Sequence, residues 1–314
     1  SNGAQIMHMF TVVIIGLAMG TTVRIARAIG AGDRENAART IGNTFTLFTI
    51  VAIITTAILL AANKGIVNLI DTPQEAVKGT IDYLRICFIG IPFIIAYNII
   101  ASIFRGLGDS KSPMYFVIVA CVVNIALDYI FIGHFKMGAT GAALGTTLSQ
   151  AVSVIVAAIM IKKKSLMSIT RQDLRPERRT MAGILKIGVP ISLQDGFIQI
   201  AFIAITVIAN GRGLNDAAAV GIVEKFIGLL FIVPSAMLAT VSAMAAQNIG
   251  AKKPERARKT MKYSIAIAVG FGTVASVILQ FIPEYAVRIF TSDSSVITLG
   301  GQYLKGYVWD CIFA

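Results

Sequence analysis

Asn124 and Asp128 stand four residues apart in the apolar run CVVNIALDYIFIGH, residues 121–134. If this run is a helix, the spacing puts both side chains on one face, about 6 Å apart along the axis. A carboxylate and an amide together offer the oxygen ligands that a hard cation such as Na⁺ takes. The same carboxyl could instead hold a proton, because burial disfavours its charged form. An acid this far inside an apolar segment is expected to face a bundle interior or a water-filled cavity. The next apolar segment carries GATGAALGTTLSQ, residues 138–150. A hydroxyl of Thr146 or Thr147 could reach the Asp128 face. Gly141 and Gly145 form a small-xxx-small pair suited to close helix packing.

Other polar residues interrupt the later segments. Gln194 and Asp195 follow Pro190, and Asp310 lies in the last apolar run. Either carboxylate could attract a cationic substrate or a second ion. Glu224 and Lys225 read as an interfacial pair whose long side chains reach the headgroups. GLGD at 106–109 matches a signature of intramembrane aspartyl proteases, but here Asp109 sits between Arg105 and Lys111 in a basic loop, shortly before Pro113. A four-residue match in that setting does not make an enzyme. Cys87, Cys121 and Cys311 are far apart, in apolar runs, and imply neither a disulfide framework nor a metal site.

These residues sit in a chain built for lipid. Of its 314 residues 56% are hydrophobic and 14% charged, and the mean hydropathy is +0.77. A soluble domain of this length could not bury so much apolar surface. Nine apolar spans are expected, at about 5–24, 40–62, 83–104, 113–134, 137–161, 181–210, 215–246 and 260–282, with a last one from about 298. The net charge of +12 lies mainly in the short loops at 24–39, 105–111, 162–186 and 252–262. These alternate along the chain, so the positive-inside rule places them in the cytoplasm. That distribution argues against a nucleic-acid partner. KKKSLMSITRQDLRPERR, residues 162–179, reads as a solvated linker between an N-terminal lobe at 1–161 and a C-terminal lobe at 180–314.

The sequence also repeats itself. AIGAGDRENAART at 28–40 aligns with NIGAKKPERARKT at 248–260, and Tyr83-Leu84 aligns with Tyr303-Leu304, all at one offset. An unbroken register of this kind marks a duplicated unit. Because both IGA loops fall on the cytoplasmic side, the halves are parallel repeats of six helices each, twelve in all. The opening SNGAQ and the end at WDCIFA, inside an apolar run, read as a fragment lacking one helix before and two after.

RGLGDSKSP, NIALDYIFI, GATGAALGTTLSQ and the paired AIGAGDRENA and AQNIGAKKPERA loops resemble, in order and spacing, the multidrug and toxic compound extrusion (MATE) family. That resemblance implies an all-α polytopic fold of two six-helix lobes forming a V. It implies antiport: entry of Na⁺ or H⁺ drives export of organic, often cationic drugs as the lobes rock. It further implies a cation site at Asn124, Asp128 and Thr146, Na⁺ being one possible occupant, with an additional Asp on a helix absent from this chain. Asp310, and more loosely Asp195, are similar to acidic residues that other members use in the C-terminal lobe. A multi-pass monomer of the cell membrane, with no cofactor beyond the coupling ion, is the expectation. The alternative transporter is a lipid-linked oligosaccharide flippase of the same superfamily.

Overall fold

The computed structural model describes residues 2–69, 74–164 and 170–313. Every regular element among them is helical. In chain order they are α1 (Asn2–Gly30), α2 (Arg34–Leu69), α3 (Gln74–Gly106), α4 (Lys111–Asp128), a π-helical turn (Tyr129–His134), α5 (Gly138–Lys164) and α6 (Arg178–Arg212). Then follow α7 (Leu214–Leu230), α8 (Ile232–Gly250), α9 (Pro254–Phe281), α10 (Pro283–Arg288), α11 (Ser294–Tyr307) and α12 (Asp310–Phe313). Eight segments are long and apolar enough to cross a membrane, α7 and α8 together forming one of them. The ninth expected span is instead a helix of 14 residues, α11, interrupted at Val308–Trp309 before α12.

The helices outrun the apolar windows that predicted them. Residues 63–79, expected as a connection, are helical except for 70–73, which lie outside the described residues. Hydropathy marks only the part of a helix that lies in hydrocarbon, whereas the helix itself runs on until its end groups are capped. Prolines differ in effect. Pro92 and Pro190 sit inside continuous helices. Near Pro234 the helix breaks at Phe231, where the lost N–H separates α7 from α8.

The chain forms two compact units, residues 1–196 and 197–314, so the first part of α6 belongs with α1 to α5. In the first unit Ile25, Phe48, Leu84, Phe88, Ile91 and Ile95 make a closed core between α1, α2 and α3. Small residues let α6 approach α1 closely. A Cβ on Gly20 would strike the carbonyl of Ile184, and one on Gly188 would sit 2.9 Å from Leu17 Cα. Ser192 Oγ donates to the Val13 carbonyl at 2.8 Å, closing the same interface. In the second unit Val223 and Ile227 of α7 pack with Leu279 of α9, Val287 of α10 and Leu304 of α11.

The described part of the linker is tethered to α2. Asn43 of α2 holds it with both ends of its amide: Nδ2 donates to the Asp173 carbonyl at 3.2 Å, and Oδ1 accepts from the Glu177 N–H at 2.7 Å. Thr46 Oγ1 donates to the Leu174 carbonyl at 2.7 Å. Gly42 lies so close that a Cβ there would collide with the Asp173 carbonyl. Residues 170–177 are therefore a strap docked on α2. Most of its residues are nevertheless exposed, as a solvated segment requires.

The internal repeat is visible in the backbone. Gly32 N–H bonds Ile29 O and Asp33 N–H bonds Ala28 O, while 220 residues later Lys252 N–H bonds Ile249 O and Lys253 N–H bonds Asn248 O, all at 2.9–3.1 Å. Each is a Schellman helix end, whose turn residue must be left-handed. Gly32 has φ +75° and Lys252 has φ +56°. The same motif closes α3, with Gly108 at φ +88°.

Candidate functional site

Asp128 is the last residue of α4, and the backbone goes directly into the π-helical turn. One face of α4 is open: Met114, Ile118, Val122, Ile125 and Tyr129 are exposed apolar side chains, Val122 to 62% and Ile125 to 64%. Such a stripe is a face for lipid. Asn124 and Asp128 lie off it, both half-buried, on the face turned to α5. Helical spacing puts the acid and amide inward while the β-branched residues around them face out.

The opposing helix is shaped to take the acid. A Cβ on Gly145 would overlap Asp128 Oδ1, so the carboxylate oxygen rests directly against the α5 backbone. On one side of this contact Gly141 meets Phe131 of the π-helical turn; on the other, Ser153 Oγ donates to the Phe116 carbonyl at 3.1 Å. Gly145 is thus the seat of the carboxylate oxygen as well as the packing residue its spacing suggested. The π-helical turn had no signature in the composition; insertions of this kind recur at functional sites.

Within this contact two polar atoms are stranded. Asp128 Oδ1 and Asn124 Nδ2 are buried and find no hydrogen-bond partner. Buried polar groups are ordinarily satisfied, and each orphan costs about 1–3 kcal/mol. Exchanging the two ends of the amide would set two oxygens side by side. A carboxyl oxygen in such a setting is the kind of group that takes a proton or a hard cation.

The other candidates fall differently. Thr146 is exposed, its hydroxyl makes no hydrogen bond, and its carbonyl accepts from Ser149 Oγ at 2.8 Å. Thr147 faces α3, where a Cβ on Gly90 would lie 2.7 Å from its hydroxyl. Asp195, in the first unit, is half-buried, and Gln194 is exposed. Asp310, in the second unit, is exposed and lies beside Tyr307. Glu224 has a partner that its spacing did not suggest. It is half-buried and accepts a hydrogen bond from Thr206 Oγ1 at 3.0 Å, while Lys225 is exposed.

Asp109 has a structural task. Its Oδ1 accepts from the N–H groups of Lys111 and Ser112 at 3.1 and 3.0 Å, and Ser112 Oγ donates to its Oδ2 at 2.6 Å. The GLGD match is a Schellman end followed by a helix cap. Among the described residues no three His, Cys, Asp or Glu side chains gather to hold a metal ion.

The fold and site together define a polytopic α-helical membrane protein with a duplicated unit and a buried acid in its first half. Comparison with known proteins goes further. The MatE family model matches residues 1–130 and 190–314. The chain belongs to the MatE family. It is 31% identical over 294 residues to the probable multidrug resistance protein YpnP of Bacillus subtilis, covering 93% of this chain. It is 24% identical over 296 residues to the multidrug resistance protein PmpM of Pseudomonas aeruginosa, covering 92% of this chain and 62% of that protein. The chain spans 65% of the length of YpnP. Among solved structures it superposes with a TM-score of 0.84, at 25% identity, on the outward-facing conformation of a multidrug resistance MATE family transporter of the MOP superfamily; that match covers 98% of this chain and 69% of the other. A MOP superfamily transporter from Pyrococcus furiosus gives 0.85 at 26% identity, covering 97% and 68%.

Proposed function

We propose that the full-length protein is a multidrug efflux antiporter of the cell membrane, exporting small organic, often cationic, compounds in exchange for Na⁺ or H⁺. The observation that carries this reading is the stranded pair, Asp128 Oδ1 and Asn124 Nδ2, held against Gly145 inside the first unit. Kinship with proteins named for multidrug resistance supports the transport class. Asp128 binds the coupling ion and Asn124 supplies a second polar contact; Thr146, the residue after Gly145 on α5, is a candidate third ligand. Asp195, Gln194 and Asp310 are candidate contacts for the drug or a second ion. The basic loops at 24–39, 105–111, 162–186 and 252–262 lie in the cytoplasm, and the transporter works as a monomer.

An ion drives such a cycle only through its different affinity for the two states. An ionised Asp128 with no partner disfavours the packing of α4 on α5. A proton or Na⁺ neutralises it and stabilises that packing, so loading the site shifts the first unit between two arrangements. Nothing in this scheme involves bond cleavage, and the capped Asp109 has no part in it.

The test is ethidium efflux from vesicles carrying the full-length protein, driven by an imposed Na⁺ or pH gradient. Asp128→Asn should abolish gradient-dependent efflux with insertion and yield unchanged. Drug export against a gradient by that variant would refute the assignment. Movement of a lipid-linked oligosaccharide with no ethidium efflux would favour the flippase.

A further inference from the structure

Glu224 lies in the second unit and has been assigned no role above. Its carboxyl meets Thr206, on the part of α6 that belongs to this unit. Thr206 Oγ1 is 3.0 Å from Glu224 Oε1 and 2.9 Å from the Phe202 carbonyl, one turn back on its own helix. A hydroxyl has one proton and cannot donate to both. Two arrangements are available without moving a heavy atom. With Glu224 ionised, Thr206 donates to Oε1. With Glu224 protonated, its own O–H donates to Thr206 Oγ1, and the threonine proton passes to the Phe202 carbonyl. A threonine turned back on its helix is common. One that also bridges to a membrane-embedded acid is a relay with two satisfied states.

Among the described residues Glu224 makes no ion pair, and its neighbours Val223 and Ile227 belong to the apolar core of the unit. Of the elements against α7, α8 has no titratable side chain, and those of α9 (Glu255, Arg256, Arg258, Lys259, Lys262 and Tyr263) all lie within its first ten residues, whereas the core contact to α7 is made by Leu279 near its other end. α10 carries Glu284, Tyr285 and Arg288, and α11 carries Tyr303, Lys305 and Tyr307. On the Thr206 helix the nearest cation in sequence is Arg212, at its far end, and α7 itself adds Asp216 and the exposed Lys225. Among these, Tyr303 is within electrostatic reach of Glu224, and its hydroxyl is buried without a partner. That hydroxyl is a spare donor for the ionised state.

The structure assigns Glu224, with Thr206 as relay and Tyr303 as reserve donor, as a proton-binding site in the second unit. It is separate from Asp128 and does not depend on the reading of that site. A proton needs no cavity, and it fits a carboxyl already closed to hydrogen-bonding distance on a hydroxyl.

The experiment is infrared difference spectroscopy on the full-length protein in lipid nanodiscs, titrated through neutral pH. Wild type should show a protonated-carboxyl band that Glu224→Gln loses and Asp128→Asn keeps. Thr206→Val keeps the acid but removes its partner, so the band should persist and move to higher frequency. This second variant decides the matter even if Glu224→Gln fails to assemble. A band that survives in Glu224→Gln, or is unmoved by Thr206→Val, overturns the assignment. So does loss of the band on adding Na⁺ at fixed pH, which would make this a metal-cation site.

Discussion

Adding one methyl group at Gly145 tests how the acid is held. A Cβ built there overlaps Asp128 Oδ1, while the carboxyl carbon and the backbone N of Asp128 lie 3.4 and 3.6 Å away, at ordinary contact distance. Gly145→Ala therefore leaves the two backbones in place and displaces one oxygen. Overpacking of this kind costs about 1–3 kcal/mol, and ~1.4 kcal/mol is a factor of ten in affinity. Apparent affinity for the coupling ion should thus fall by roughly 5- to 150-fold. Global stability should change little, because alanine recovers about 0.5–1 kcal/mol of helix propensity over glycine. The companion variant is Gly141→Ala, whose Cβ would lie 3.0 Å from the Cβ atoms of Phe131 and Met137. It crowds the same interface without touching the acid. Efflux as a function of Na⁺ and of pH, with thermal unfolding in parallel, separates the two effects: Gly145→Ala should shift the ion dependence, Gly141→Ala the melting temperature alone. If Gly145→Ala keeps the wild-type ion dependence, the carboxylate is not held against α5 as argued and the reasoning fails.

The repeat supplies a reciprocal pair: Lys252→Gly should relieve a left-handed L-residue and stabilise the protein by about 1 kcal/mol, and Gly32→Lys should destabilise it similarly. Unfolding in detergent reads both, and equal effects in the same direction would contradict the shared turn geometry. Asn43→Ala removes both amide contacts to the strap, a loss of about 1–3 kcal/mol. Faster tryptic cleavage at Arg171 should follow, and an unchanged rate would mean the strap is anchored elsewhere. Two hydrogen bonds from Thr170, through its hydroxyl and its N–H at 2.7 and 2.8 Å, hold the Asp173 carboxyl below the usual range. A carboxyl lower in the folded state contributes stability above its unfolded pKa, near ~3.9, and loses it as pH falls through the folded value. Solvent exposure keeps the effect small. Protection of the strap from an acid-active protease should therefore decline below about pH 4 in wild type, and the decline should be weaker in Thr170→Val.

The inward placement of Asn124 and Asp128 was legible in the sequence, and the reasons are local. An ionisable residue in a run of some twenty apolar residues is costly wherever the helix faces lipid, so its presence at 128 already implied an inward face. Asn124 followed from helical periodicity alone. The partner of Glu224 was not legible, because a Glu-Lys pair in a span fits snorkelling equally well and only the packing of α6 beside α7 brings Thr206 to its carboxyl. GLGD misleads for the opposite reason: four letters describe a helix end and its cap as well as they describe a protease motif.

Composition, hydropathy and the 220-residue offset determined the membrane solvent, the helical class and the duplication, because each depends on residue type and spacing along one strand of chain. Tertiary structure alone decided that Gly145 is the floor beneath Asp128, that Thr147 turns to Gly90, and that the strap binds Asn43. Those contacts join residues from different helices, and their existence depends on how two surfaces approach to within a fraction of an ångström. No periodicity along a single helix encodes that distance.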